Sequence, residues 1–483
     1  MISFPKKRRS KDDVLGKMRV ARDKDVKWKK GRAFGLIYHI NEEIDALLQD
    51  AFLMFFSENG LNPTAFPSLR KFETEVISMS ASLLGGDENV AGNMTSGGTE
   101  SILCAVKTAR DWARDHLPQA IEPEILLPRS GHPAFEKAAQ YYGLKTVFVP
   151  VDDDLCADVD AMRAALTKNT ILMVGSAPSY PHGVIDPIRE LAAIAQEQGI
   201  LFHTDSCVGG FMLPFVKKLG YAAPDFDFSV PGVTSISADL HKYAYAAKGA
   251  SVVLYKSAEL RRYQMFVSTD WSGGIYPSPT IAGTRPAGPI AAAWAILNYL
   301  GEEGYLEITE IVMDTAKKMQ KGVNAIDGIK VLGEPEMSVF SIVSDDPAIE
   351  IYEVADELHE RGWHLDRQHF PATLHMTVNY VHVDAADDFI ADLAESVGAV
   401  RRPTLRKVAS RWLIDVTDFL VRILPEKWVT WMMEKSSVLL GGGGGLPQRM
   451  APMYGLIGTL PNRGDLKELV LDLLDGMTKE VQK

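Results

Sequence analysis

The residue in this chain best suited to nucleophilic chemistry is Lys242, in the segment Ser237-Ala-Asp-Leu-His-Lys-Tyr243 with Ala244 and Tyr245 beyond it. It follows an apparent strand and stands among small and aromatic side chains. Such a setting desolvates an amine, which lowers its pKa and frees the lone pair that attacks a carbonyl. A lysine after a strand is, on its own, more often a surface charge, so the reading depends on what accompanies it. Asp205 stands 37 positions earlier, at the end of the apolar run Ile200-Leu-Phe-His203. An acid on a buried strand end needs a cationic partner, although a capping aspartate would leave the same trace.

A protonated pyridine nitrogen is such a partner, and the ion pair would keep the ring an electron sink. Upstream, Thr95-Ser-Gly-Gly-Thr-Glu-Ser101 opens a helical stretch, Ile102–Arg114. Free backbone N–H groups, hydroxyls and the positive end of a helix dipole suit a phosphate there, and Gly97 and Gly98 allow close backbone approach. His132, in Gly131-His-Pro-Ala-Phe-Glu-Lys137, falls at a strand-to-helix turn, where an imidazole can stack on an aromatic ring, move a proton or simply start the helix. Together these residues describe a site for a phosphorylated pyridine aldehyde, pyridoxal 5'-phosphate.

The elements that must position them follow an α/β rhythm. From about 35 to 115 the pattern is helical, broken at Leu61-Asn-Pro-Thr-Ala-Phe-Pro67. From about 125, Thr146–Val151, Ile171–Val174, Ile200–His203, Thr234–Ser237 and Ala250–Tyr255 read as short buried strands. Helical stretches near 133–142, 157–166 and 187–198 separate the first of them. An Ala-rich helix at Pro286–Tyr305 leads through 306–326 to a smaller domain, with strand runs Val339–Val343 and Leu374–Val383 and helices at 350–361 and 385–398. The division expected is an N-terminal arm and helices over 1–60, a large cofactor-binding domain over 61–305 and a small C-terminal domain over 306–483. An amphipathic, aromatic insertion near 400–445 reads as core or subunit interface, and Gly441–Gly445 as a loop.

Composition narrows the function classes. With 46% hydrophobic and 24% charged residues the 483-residue chain is an ordinary globular one. No stretch of about 18 uncharged apolar residues is present, and Met1–Arg9 lacks the apolar core of a signal peptide, so no transmembrane segment is expected. Cys104, Cys156 and Cys207 have neither metal-ligand spacing nor an even count, which points to no metal and a reducing, cytoplasmic home. Residues 1–32 hold 13 Lys/Arg against 4 Asp/Glu in a chain of net charge −12. Such a basic arm suits nucleic acid or anionic lipid. Its apolar positions Val14, Leu15, Met18 and Val20 instead favour a helix with one packed face; no nucleic-acid partner is expected, and peripheral membrane contact stays open.

In order and spacing these segments resemble the sphingosine-1-phosphate lyase family, within the pyridoxal-phosphate decarboxylases of aspartate-aminotransferase fold (fold type I). The resemblance begins near Asp13 and runs through Val26-Lys-Trp-Lys-Lys-Gly-Arg-Ala-Phe34, Phe66-Pro-Ser-Leu-Arg-Lys-Phe-Glu73, the glycine loop and the lysine segment, to Met453-Tyr-Gly455. It implies a large mixed-sheet domain, a smaller α+β domain and a homodimer with shared sites. It makes Lys242 the lysine that carries the cofactor, Asp205 the pyridine partner, His132 the stacking histidine, and Gly98, Thr99 and His241 phosphate ligands; His241 rests on the resemblance alone. Tyr276-Pro-Ser-Pro-Thr-Ile-Ala-Gly-Thr284 resembles the segment that brings Gly283 and Thr284 to a neighbour's cofactor phosphate. Asn59, Tyr180, Lys248 and Tyr276 match positions that meet substrate, or are packing residues.

One position departs from the family: Leu61-Asn62-Pro63-Thr64 has Asn62 where the lyases usually carry histidine, and asparagine carries no proton near neutral pH. The activity implied is an aldehyde-lyase that cleaves the C2–C3 bond of a phosphorylated long-chain 2-amino-3-hydroxy compound, giving a fatty aldehyde and ethanolamine phosphate. An amino-acid decarboxylase of the same superfamily is the alternative. A non-catalytic binding protein that keeps the fold is disfavoured by the intact set of Lys242, Asp205 and His132.

Overall fold

The computed structural model describes residues 3–402 except Lys24 and Pro63, and six positions beyond them: Ala451, Tyr454, Lys467, Val470, Leu471 and Leu474. The expected insertion at 400–445 and the Gly441–Gly445 loop lie outside the described residues.

Seven strands build the large sheet: β1 (Ala91–Thr95), β2 (Glu124–Pro128), β3 (Lys145–Val149), β4 (Thr170–Ser176), β5 (Leu201–Asp205), β6 (Ser235–Ala238) and β7 (Ser251–Tyr255). Their order is β1-β7-β6-β5-β4-β2-β3, parallel except for β7, which runs antiparallel to both its neighbours. A strand buried on both faces needs a continuous apolar run rather than alternation. Thr170-Ile-Leu-Met-Val-Gly-Ser176 is buried at every position. On the flank, Ile102, Val106, Ala109 and Ala113 of the helix Gly98–His116 carry the three- and four-residue spacing of one packed face, and its early turns are buried all round, Ser101–Val106 throughout. Because β7 alone is reversed, the carboxyl ends of β1, β2, β4, β5 and β6 share one edge, where open α/β sheets bind their ligands.

The strand β1 was not expected, since residues 35–115 read as helical. Ala91-Gly-Asn-Met-Thr95 has no alternation and contains Gly92; its strand state comes from pairing with β7, Gly92 opposite Leu254, where a side chain at Gly92 would collide with the Val253 carbonyl. Two short strands, β8 (Phe266–Ser268) and β9 (Tyr276–Ser278), form a separate ribbon. One helix, Ala287–Asn324, then spans from the large core to the small one, interrupted at Gly301 with φ 57°. The small domain is an antiparallel sheet of β10 (Ile329–Leu332), β11 (Val339–Ser344), β12 (Asp366–Gln368) and β13 (Thr373–Thr377), in the order β10-β11-β13-β12. Helices Ile351–Glu360 and Ala386–Arg401 cover it. The run Leu374–Val383 is therefore not one strand. After Thr377 the chain turns at Asn379, whose side chain caps the 3-10 turn Tyr380–Ala385 in a reciprocal capping box with His382.

Residues 28–40 tie the N-terminal region to the body: Phe34 is buried in the small-domain core, stacked on His382 at 4.3 Å. The basic helix Lys11–Arg22 before it buries no residue, and Met18 and Val20 are 62% and 69% exposed. The packed face expected of the arm thus finds no partner among the described residues. No helix among the described residues is long and apolar enough to cross a membrane.

Candidate active site

Asp205 ends β5, and its buried carboxylate accepts from the Cys207 N–H (3.1 Å) and the Ser237 hydroxyl (3.2 Å). Both donors are neutral, and among the described residues no cation pairs with it, which leaves it open to the pyridinium partner that the sequence reading reserved for it. Lys242 follows β6 and is held at 2.9 Å by Asp239, a buried carboxylate three residues earlier. Burial pulls the Lys242 ammonium down, but Asp239 outweighs it, and the group lies above the ordinary lysine range. This corrects the expectation of a lowered pKa: in the cofactor-free chain the amine is locked in an ion pair. For Asp239, too, burial works against the charge and Lys242 prevails, leaving its pKa below the usual carboxylate range.

The glycine loop closes the same space. Gly97 caps the helix Gly98–His116 without a side-chain hydrogen bond, leaving its first N–H groups free. A methyl at Gly98 would lie 2.8 Å from Cys207 Sγ and 2.9 Å from Asp239, so only glycine brings the backbone this close to the floor. Thr99 is exposed at the first turn. His241 lies against Gly97, its Cε1 3.4 Å from where a side chain there would begin, and its buried Nδ1 has no partner. This gives His241 the geometric support it lacked from sequence.

His132 accepts the Ala134 N–H on Nδ1 (3.1 Å) and so starts its helix, as the plainer reading held. Burial lowers its pKa, with Asp205 pulling the other way and Lys242 reinforcing, so a neutral imidazole faces the same cluster of charges. Tyr180, in the loop after β4, stacks on buried His375 at 4.1 Å and donates to Asp366 of β12 at 3.0 Å. The Lys248 ammonium sits 5.1 Å from the centre of the Tyr38 ring and 3.3 Å from the His241 carbonyl. Burial of this head, then repulsion from Lys242, lowers it to about 8. Among the described residues no carboxylate forms an ion pair with Lys248, although the charge of buried Asp239 still acts on it.

The other expected residues lie elsewhere. Asn59 and Asn62 line a cavity of about 820 Å³ beside β1, whose wall contains none of Lys242, His132 or Asp205. Asn62 Oδ1 accepts from the Thr64 and Ala65 N–H groups and the Thr64 hydroxyl, holding its own turn. Tyr276 packs against Phe266 and Trp271. The segment before Gly283 and Thr284 is anchored by Glu100, whose Oε1 accepts from the Ile281 and Ala282 N–H groups while Oε2 takes that of Ser96.

Sequence reasoning missed Tyr38, Asp239 and Asp366. Tyr38 is edge-on to Tyr243 at 5.0 Å, and burial drives its phenol well above the usual range. Nothing in its spacing marks it, whereas Asp239, three residues before Lys242, was within reach of a charge-pairing argument. The unpaired Asp205 carboxylate, the orphaned Nδ1 of His241 and the glycine-lined helix start all fit a phosphorylated pyridine. The exposed cluster of His39, Glu42 and Asp45 has ligand-like geometry, but Lys29 already pairs with Glu42 at 2.7 Å.

Residues 2–342 match the family described as the pyridoxal-dependent decarboxylase conserved domain. The chain is 42% identical over 471 residues to the sphingosine-1-phosphate lyase of Arabidopsis thaliana, covering 96% of this chain and 79% of that one. It is 44% identical over 404 residues to sphingosine-1-phosphate lyase 1 of Rattus norvegicus, covering 83% and 70%. Among solved structures, the sphingosine-1-phosphate lyase of Burkholderia pseudomallei superposes with a TM-score of 0.80 at 39% identity, over 88% of this chain and 98% of that one.

Proposed function

Since the chain belongs to the sphingosine-1-phosphate lyase family of pyridoxal-dependent decarboxylases, we propose that it cleaves the C2–C3 bond of a phosphorylated long-chain 2-amino-3-hydroxy compound. The products are a fatty aldehyde and ethanolamine phosphate. The observation that carries the choice of substrate is Lys248, an ammonium that forms no ion pair among the described residues and suits a phosphate head. A decarboxylase would instead want a cation for the substrate carboxylate. On the small domain Arg367 is engaged by buried Asp356 at 2.6 Å, and the group turned toward Tyr180 is itself a carboxylate.

Pyridoxal phosphate, when bound, supplies the sink for the electron pair released from C2. The protein's part is to hold and to orient. Lys242 would hold the cofactor, Asp205 would keep its ring nitrogen protonated, and His132 would stack on its ring. Gly98, Thr99 and His241 take the cofactor phosphate at the start of the helix Gly98–His116. Lys248 and Tyr180 orient the substrate from within the chain. Asn59 and Asn62, in a cavity whose wall lacks Lys242, and Tyr276, Gly283 and Thr284 serve the site of a second copy in a homodimer. Exposed Leu61, Phe266 and Val267 on the cavity wall, with Trp271 and Ile275 nearby, support such a covered face. The cytoplasm is the expected compartment.

The test is incubation of purified holoenzyme with sphingosine 1-phosphate and, in parallel, with glutamate and aspartate. Release of a long-chain aldehyde is expected. Carbon dioxide from the amino acids without aldehyde would overturn the reading in favour of a decarboxylase.

A further inference from the structure

Cleavage of a 2-amino-3-hydroxy compound requires a group that takes the 3-hydroxyl proton. Asn62, at the position where the family carries histidine, cannot do so, and its side chain is committed to the Thr64 turn. Lys242 is committed to the cofactor, with Asp239 held against it, and His132 uses Nδ1 to start its own helix. Of the phenols near these residues, Tyr38 lies against Lys248 but hydrogen-bonds no acceptor among the described residues, whereas Tyr180 already donates to a carboxylate.

Burial, then the charge of Asp366 and its hydrogen bond, push the Tyr180 phenol well above its ordinary range, with Lys242 opposing. By itself it is therefore a proton donor rather than an acceptor. It does, however, already donate to Asp366 Oδ2 at 3.0 Å. Asp366 lies on the edge strand β12, half-buried, opposite His375. Among the described residues Tyr180 is the one side chain that hydrogen-bonds it, and no cation pairs with it. Gly35 flanks the two: a side chain there would begin 3.5 Å from the Tyr180 hydroxyl and 3.7 Å from Asp366 Oδ2, so glycine leaves that flank open.

Resting on the function proposed above, we propose that Tyr180 and Asp366 form a proton relay for the substrate's 3-hydroxyl, with Asp366 the positioning residue and terminal acceptor. The 3-hydroxyl proton moves to the Tyr180 oxygen as the phenol's own proton moves to Asp366. The O–H electron pair becomes the second bond of the aldehyde carbonyl, the C2–C3 bond breaks, and its electrons remain with C2. A proton delivered to C2 completes the amine product and balances the one held by Asp366. No oxidant, metal or further reactant is needed.

Asp366→Asn separates this from a purely structural role, because the carboxamide oxygen still accepts the Tyr180 hydrogen bond but cannot hold the proton. With sphingosine 1-phosphate as probe, kcat is expected to fall on the order of 100-fold, with KM near that of the wild type. Asp366→Glu is expected to regain part of the loss. Binding of an analogue lacking the 3-hydroxyl, read from the cofactor absorbance of the holoenzyme, is expected to be the same in wild type and Asp366→Asn, which also certifies folding. A kcat within about twofold of wild type, or a loss confined to KM, overturns the relay while leaving the lyase assignment standing. A wild-type enzyme that releases no aldehyde overturns the assignment and the relay with it.

Discussion

At the scale of residues, the ion pair of Lys242 and Asp239 has a consequence for the cofactor-free protein. Removing one partner of a buried pair leaves the other charge uncompensated, which costs on the order of 3 kcal/mol. Lys242→Ala is thus expected to abolish the cofactor's lysine adduct and also to lower the unfolding free energy of the apoprotein. Lys242→Ala/Asp239→Asn should recover most of that stability without recovering the adduct; denaturant titration checks the first and borohydride trapping the second. Because the folded Asp239 pKa is depressed, the pair's contribution is present above the unfolded value of about 3.9 and is lost only as pH falls through the lower folded value. Lys248 titrates in an accessible window. Its ammonium is held down to about 8, so kcat/KM for a phosphorylated substrate should decline above about pH 8 as the charge is lost. Lys248→Arg, charged throughout, should shift that decline upward; an identical profile in both would mean that Lys248 does not meet the phosphate.

Among the elements, the helix Gly98–His116 and the segment before Gly283 are joined by one carboxylate. Glu100 takes the N–H groups of Ile281 and Ala282 at 3.1 and 3.3 Å and that of Ser96 at 2.7 Å. The helix start and the segment before Gly283 therefore share an anchor in the first turn of the helix. Glu100→Ala is expected to weaken pyridoxal phosphate binding about tenfold, equivalent to ~1.4 kcal/mol, with little change in the global unfolding midpoint. Unchanged affinity in an absorbance titration would show that the two segments are positioned independently.

For the whole molecule, a shared-site dimer would give Asn59 and Asn62, which line a cavity whose wall lacks Lys242, and Thr284 a part in the neighbour's site. Mixing inactive Lys242→Ala subunits with inactive Thr284→Glu subunits should restore activity, since half the sites in a mixed dimer combine an intact lysine with an intact Thr284. No recovery despite demonstrated subunit exchange would assign both residues to one chain's own site. The exposed helix Lys11–Arg22 belongs to the same question: its apolar positions find no cover among the described residues.

The α/β alternation, Lys242, Asp205 and the glycine-led helix start were legible in the sequence because each is a local statement, a run of apolar residues or a residue type at the end of one. Strand β1 was not, because Gly92 and Asn93 have no strand preference and their state is imposed by β7, more than 150 residues away. The same limit applied within the site. Burial around Lys242 could be inferred from its neighbours and argued for a lowered pKa, but Asp239, folded back onto the ammonium, reversed the sign. Asp366 reaches Tyr180 across 186 positions, and Tyr38 meets Lys248 with no spacing to announce it. A sequence shows which side chains go inside; only the tertiary structure decides which charges share that interior, because Coulomb forces and hydrogen bonds act through space and not along the chain.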